Sequence, residues 1–166
     1  MSSTDAGKGT PAGAFEVAGL AIRLTAPGVF HCLHWGQRMP SGTLTWLAGQ
    51  ADADSRGRAR ICFHPDPMDE VQQMLIALTG SAVDRPHRHP HKHETLIPAC
   101  GTAVYRVFDD VGVLREEVVV GGEGLRYLHT PPGVWHCVVP TSDHFIFWEL
   151  AKGPFDPRAN EYPGWA

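Results

Sequence analysis

The sequence has no apolar run long enough to cross a bilayer as a helix, which takes about 20 residues. Its most apolar N-terminal stretch, FEVAGLAIRL, is interrupted by Glu16 and Arg23. It is too short and too broken for a secretory signal core or a membrane span. Basic blocks are missing as well. Lys and Arg total 14 against 18 Asp and Glu, a formal charge of −4, so no phosphate-tracking surface for nucleic acid is expected. Cysteine is sparse, and Cys32, Cys62, Cys100 and Cys137 form no C-x-x-C pair. They read as reduced, mostly buried thiols, and the expected compartment is the cytoplasm. There is no G-x-S-x-G and no glycine-rich phosphate loop. Serine-nucleophile and nucleotide-cradling chemistry are thereby left without support.

What the chain does have is turn residues and short apolar runs. It carries 18 Gly and 14 Pro in 166 residues, the composition of many short strands joined by turns. One domain with a sizeable core is expected at this length. Residues 17–34 read as an extended pair broken at Ala26-Pro27-Gly28, and 43–48 as a short strand or helix. Arg58 to Phe63 reads as a strand, as does Val71 to Leu78, although Met74, Leu75 and Leu78 also fit helical spacing. Thr102 to Phe108 and Val113 to Val120 form a hairpin across Asp109-Asp110-Val111-Gly112. Leu125 to Leu128, Trp135 to Val139 and Phe145 to Leu150 complete the series. The pattern suits an antiparallel jelly-roll barrel.

The histidines carry the chemistry. His87, His89 and Glu94 are spaced H-x-H-x4-E, and His136 follows in PPGVWH. Side chains at i and i+2 of a strand share a face, so His87 and His89 can aim at one ion. Glu94 has the opposite parity. Pro90 breaks the strand between them and lets Glu94 re-enter facing inward. Pro131-Pro132-Gly133 is a turn, after which His136 can close the site from across the barrel.

These segments resemble the two cupin motifs. Gly80, His87, His89, Glu94 and Gly101 match the first, with one extra residue between Gly80 and His87. Gly124, Pro131, Gly133 and His136 match the second, again with one extra residue, and Pro140 stands where the pattern has asparagine. Further segments, RARICFH, VQQMLIAL, PHRHPHKHET, FDDVG and KGPFDPRANEYPGWA, resemble the WbuC family of cupin metalloproteins over roughly residues 50–166. The resemblance implies an all-β fold, the cupin double-stranded β-helix, with an N-terminal extension and a C-terminal wrapping tail. In that frame residues 1–13 form a flexible tail and 14–166 a single cupin domain, with its barrel core about 56–152. The resemblance also implies a setting in O-antigen and other surface-polysaccharide synthesis, while leaving the reaction open.

Three imidazoles and one carboxylate leave coordination positions open, as catalytic metal sites do. The set suits one divalent transition metal, Fe, Mn, Ni, Co or Zn. Such a site serves a sugar isomerase or epimerase, a mononuclear Fe(II) dioxygenase, or a ligand-binding sensory cupin without turnover, and fold alone does not choose. Arg60, His64 and Gln72 are candidates for gripping a small sugar-derived ligand, with Arg58 alternating on the same strand. His91 and His93 are expected in solvent or behind the ligands, and His129 as a hydrogen-bonded core histidine. Glu149 reads as a partly buried carboxylate that either orients a ligand or ends its strand in solvent. His31, His34 and His144 receive no role. Trp165, Phe155 and Tyr162 give the tail apolar anchors, on which a homodimer is expected.

Overall fold

The computed structural model describes residues 13–33, 39–156 and 158–165. The expectations for the flexible tail over 1–12 and for His34 lie outside them. Eleven strands and one helix follow in order: β1 Ala14–Val17, β2 Leu20–Ala26, β3 Val29–Cys32, α1 Gly42–Ala53, β4 Arg58–Cys62, β5 Val71–Thr79, β6 Glu94–Cys100, β7 Thr102–Phe108, β8 Leu114–Gly121, β9 Leu128–Thr130, β10 Trp135–Pro140 and β11 His144–Lys152. An eight-stranded sheet runs β1-β2-β3-β4-β5-β11-β6-β9, and a three-stranded sheet runs β10-β7-β8. Pairing is antiparallel except between β3 and β4, which α1 connects as a parallel crossover. The expected jelly-roll barrel is what forms.

The centre of the large sheet buries both faces, and strand parity decides which residue goes where. On β4, Ala59 and Ile61 point to a cluster with Leu47 and Ala51 of α1 and with Leu75, Ala77 and Ile146. The other parity, Arg58, Arg60 and Cys62, points into the barrel beside Met74, Ile76 and Leu78 of β5. β5 is central and covered on both sides, which explains its unbroken apolar run. That run also made a helix conceivable; pairing to β4 and β11 along its length settles it as a strand.

The segment read as strand or helix, 43–48, is the middle of α1. Its sequence, GTLTWLAGQADA, is poor for a helix, with two threonines, an internal glycine and no side-chain cap. Tertiary packing holds it instead. Thr43, Leu47 and Ala51 recur every four residues and are fully buried against the sheet, and Leu47 alone contributes about 1.5–3 kcal/mol. Two other expectations shift. The strand expected at Leu125 to Leu128 is instead β9, Leu128–Thr130, because Gly121 to Gly124 forms a turn that leaves Leu125 only an isolated bridge to Val120. Glu94 to Cys100 forms β6, a strand that proline at position 98 obscures in the sequence.

Candidate metal centre

The loop between β5 and β6 is tied down before β6 begins. His87 exchanges backbone hydrogen bonds with His136, both at 2.9 Å, and the carbonyl of His89 accepts from the Gly133 amide at 2.9 Å. The first motif is thereby stitched to the second. Gly133 takes φ +81°, in the left-handed region that favours glycine, so the turn delivers His136 to the start of β10. Beyond Pro90 the chain enters β6 at Glu94, and the carboxylate turns inward as its altered parity requires.

The four expected ligands converge. Ring centroids lie 5.0 Å apart for His87–His89, 4.5 Å for His87–His136 and 5.6 Å for His89–His136. One donor atom from each histidine falls within 4.8 Å of the other two. Glu94 Oε1 is 3.1 Å from His89 Nε2, and Oε2 is 3.4 Å from His136 Nε2. His87 Nδ1 is held by the Arg85 carbonyl at 2.8 Å and His136 Nδ1 by the Val134 carbonyl at 3.0 Å. His87 and His136 are thus both held through Nδ1, leaving Nε2 as the nitrogen for a ligand, the orientation that metal-binding histidines usually have. Tyr105 stacks on His136 with centroids 5.4 Å apart, and its hydroxyl is 2.6 Å from Thr130 Oγ1.

His89 provides the test of fit. It is only 5% exposed, and neither ring nitrogen has a hydrogen-bond partner, the Glu94 contact being misaligned for one. A buried polar group left in that condition costs about 1–3 kcal/mol. A divalent ion among the three imidazoles would remove the cost, and the N3O donor set suits one. Electrostatics agree. Burial would raise the Glu94 carboxyl, but its contacts with His136 and His89 and the nearby Lys92 hold it well below the ordinary carboxylate range. His87 is lowered, by burial first. Burial also opposes charge on His136, yet Glu94, the Val134 carbonyl and Asp84 together outweigh it and lift that imidazole above its ordinary value.

The cluster opens on a cavity of about 250 Å³ lined by Arg58, Arg60, Arg85, Lys92, Glu149, Phe155 and Tyr162, among others. Glu149 is partly buried, as expected, and burial followed by the charge of Glu94 pushes its carboxyl up to about 7. The Arg60, His64 and Gln72 trio is divided by the structure. Arg60 lines the cavity beside the cluster, and its Nε is buried without a partner. His64 and Gln72 line a neighbouring cavity that Arg60 also reaches. The Gln72 side-chain amide is already spent on the carbonyls of Asp69, at 2.8 Å, and Pro67.

His91 is exposed, and so is His93, which stacks on His129 with Nδ1 3.2 Å from its Nε2. His129 is therefore not a core histidine. It sits on β9, an edge strand whose outer face is in solvent, beside exposed Tyr127. Of the four thiols, Cys100 is exposed and the others are buried. Sequence reasoning gave no part to Arg85, Asp84 or Tyr105. All three lie near the cluster because the 80s loop and β7 fold against β10, and only the R-x-H spacing at Arg85 hinted at one of them.

A family model described as a domain of unknown function (DUF6016) matches residues 40–120. No curated protein sequence matches the chain at a significant level. Among solved structures, CapF from Staphylococcus aureus, described as a capsular polysaccharide assembling protein, is similar with a TM-score of 0.56 and 22% identity over 66% of this chain. CapF with the inhibitor 3-isopropenyl-tropolone is similar with a TM-score of 0.55 and 20% identity, again over 66%. The barrel has the cupin fold. This chain spans about a third of CapF, 31% in the first structure and 32% in the second.

Proposed function

We propose that this cupin is a metal-dependent enzyme acting on an anionic sugar derivative in surface-polysaccharide synthesis. One observation carries the reading. The buried, unpartnered imidazole of His89 sits in a three-histidine, one-carboxylate cluster whose cavity is walled by Arg58, Arg60, Arg85 and Lys92. His87, His89, Glu94 and His136 would hold a divalent transition ion, which supplies Lewis-acid polarisation of a carbonyl or of vicinal hydroxyls. The polysaccharide setting is supported by the resemblance to the WbuC family, and CapF, which shares the fold, is described in the same setting.

The remaining chemistry belongs to the chain's own side chains. The arginines bind the anionic group of the ligand and set its orientation. Tyr162, with Arg85 5.3 Å from its ring centroid, and Phe155, with Arg60 at 5.9 Å, offer faces for the sugar ring. Glu149, raised to about 7, is poised to take a proton from a carbon beside the polarised carbonyl and return it, as an isomerase or epimerase requires.

The test begins with elemental analysis of protein purified without a histidine tag or added metal. Metal-loaded protein is then incubated with sugar nucleotides and sugar acids in deuterated water. Deuterium in a recovered or isomerised sugar supports the reading. Iron with oxygen consumed in step with substrate would instead make the protein a dioxygenase. Saturable binding with every sugar unchanged would make it a sensory cupin. Absence of metal at the cluster would remove all three.

A further inference from the structure

A second cluster of ligand-type side chains lies on the same barrel, away from the motifs. β3 and β4 run parallel with His31 opposite Cys62, and His64 lies two residues past Cys62, so all three meet on one face. They are 8%, 2% and 5% exposed, and one donor atom from each lies within 4.8 Å of the other two. The two imidazoles meet edge to face, with centroids 5.5 Å apart. They line a cavity of about 320 Å³ together with Arg23, Thr25 and Arg60.

We propose that His31, Cys62 and His64 form a second metal site, taking a zinc-class divalent ion and independent of the first cluster. The hydrogen bonds favour ligation over a plain structural role. His31 Nδ1 is 2.8 Å from Thr25 Oγ1, and His64 Nδ1 is 3.1 Å from both the Gln73 carbonyl and the Gln73 amide. Both rings are held through Nδ1, and His64 ligates through Nε2 in the tautomer that donates from Nδ1 to the Gln73 carbonyl.

Two imidazoles and one thiolate form a borderline-to-soft set that suits zinc. Burial holds the Cys62 thiol up at about 11. Ligation therefore releases its proton: the S–H bond breaks, the sulfur pair goes to the ion and H⁺ leaves to solvent. Three protein ligands beside a cavity leave a fourth position for water or an anion. The two sites share no ligand. Their cavities adjoin, with Arg60, Met74 and Phe155 lining both.

Cobalt(II) is the probe, because a thiolate ligand gives a near-ultraviolet charge-transfer band that an N3O site does not. Metal-free Cys100→Ser protein, which lacks the one exposed thiol, is titrated with cobalt. Two equivalents are expected, one of them bringing the band. Cys62→Ala and His64→Ala should each lose the band and keep one equivalent, whereas His89→Ala should lose the other equivalent and keep the band. A single equivalent without the band overturns the proposal, and so does a band that survives Cys62→Ala. The parent titration reads the band without any core substitution. Loss of the equivalent that depends on His89 would fault the first site and leave the second standing.

Discussion

The two histidine clusters differ first in how the chain assembles them. His87, His89 and Glu94 lie within eight residues, and one hairpin-like stitch to Gly133 and His136 completes the set. His31, Cys62 and His64 come from two strands separated by a helix and meet only because β3 and β4 pair in one parallel register. The first is a local motif presented on a loop; the second is a product of sheet topology. They differ also in charge. The first contains a carboxylate that stabilises protonated His136, while the second has none among its three donors and keeps its imidazoles neutral. The first cluster should therefore exchange protons for metal at its histidines, and the second at its thiol.

Several changes would break or sharpen this contrast. The largest effect is expected from His89→Ala, which should lower metal affinity at the first cluster by more than about 100-fold, beyond the 10–100-fold typical of losing an outer partner. His93→Ala should leave that metal nearly stoichiometric. Equal losses in a dialysis and elemental-analysis experiment would disprove the ligand set. Next comes Arg60→Met, which removes a half-buried cation common to both cavities. Affinity for an anionic sugar by calorimetry should drop about 10-fold, the order of a charge-assisted hydrogen bond, with metal content unchanged.

Asp84→Asn is expected to act more mildly. Asp84 Oδ1 is 4.0 Å from His87 Nδ1, and its Oδ2 accepts from the Val138 amide at 2.9 Å. Metal affinity should fall about 10-fold at the first cluster and not at the second. Any change in the cobalt–thiolate band would contradict the independence of the two.

The smallest effect concerns pH. The raised His136 adds stability to the metal-free protein that is complete below the ordinary imidazole value of 6.5 and is lost as pH rises through its higher folded value. The lowered Glu94 adds stability above its ordinary 4.5 that fades only as pH falls through its lower folded value. Between those limits a proton occupies His136 and competes with metal. The rise in Tm on adding metal should therefore grow as pH climbs toward the folded value of His136 and level off above it. A rise independent of pH would show that His136 is not a ligand.

Much of this was legible in the sequence, and for identifiable reasons. The H-x-H-x4-E spacing and the proline break predicted the convergence of His87, His89 and Glu94, since both depend on local backbone rules. The β7–β8 hairpin followed from its turn residues in the same way. Helix α1 was ambiguous because its stability comes from packing rather than from its own residues. His129 was misplaced because parity alone does not tell which side of a short edge strand meets solvent. The second cluster was read in pieces, with His64 as a ligand contact, Cys62 as a buried thiol and His31 without a role. The alternation of Arg58, Arg60 and His64 pointed to one face, which Cys62 shares by parity. Nothing in the sequence announced that β3 would lie parallel to that strand.

The tail has a consequence for how the protein is made. Trp165 packs on Phe108 and Trp135 of its own barrel. Arg88, 4.4 Å from the centroid of Trp135, is clasped by Glu161 at 2.6 Å, and Phe155, Asn160 and Tyr162 wall the cavity above the first cluster. Every one of those tail residues is synthesised after all four ligands. With the ion proposed for His87, His89, Glu94 and His136, a nascent barrel would take it up through an open mouth, and the later arrival of the wall would separate capture from retention in time.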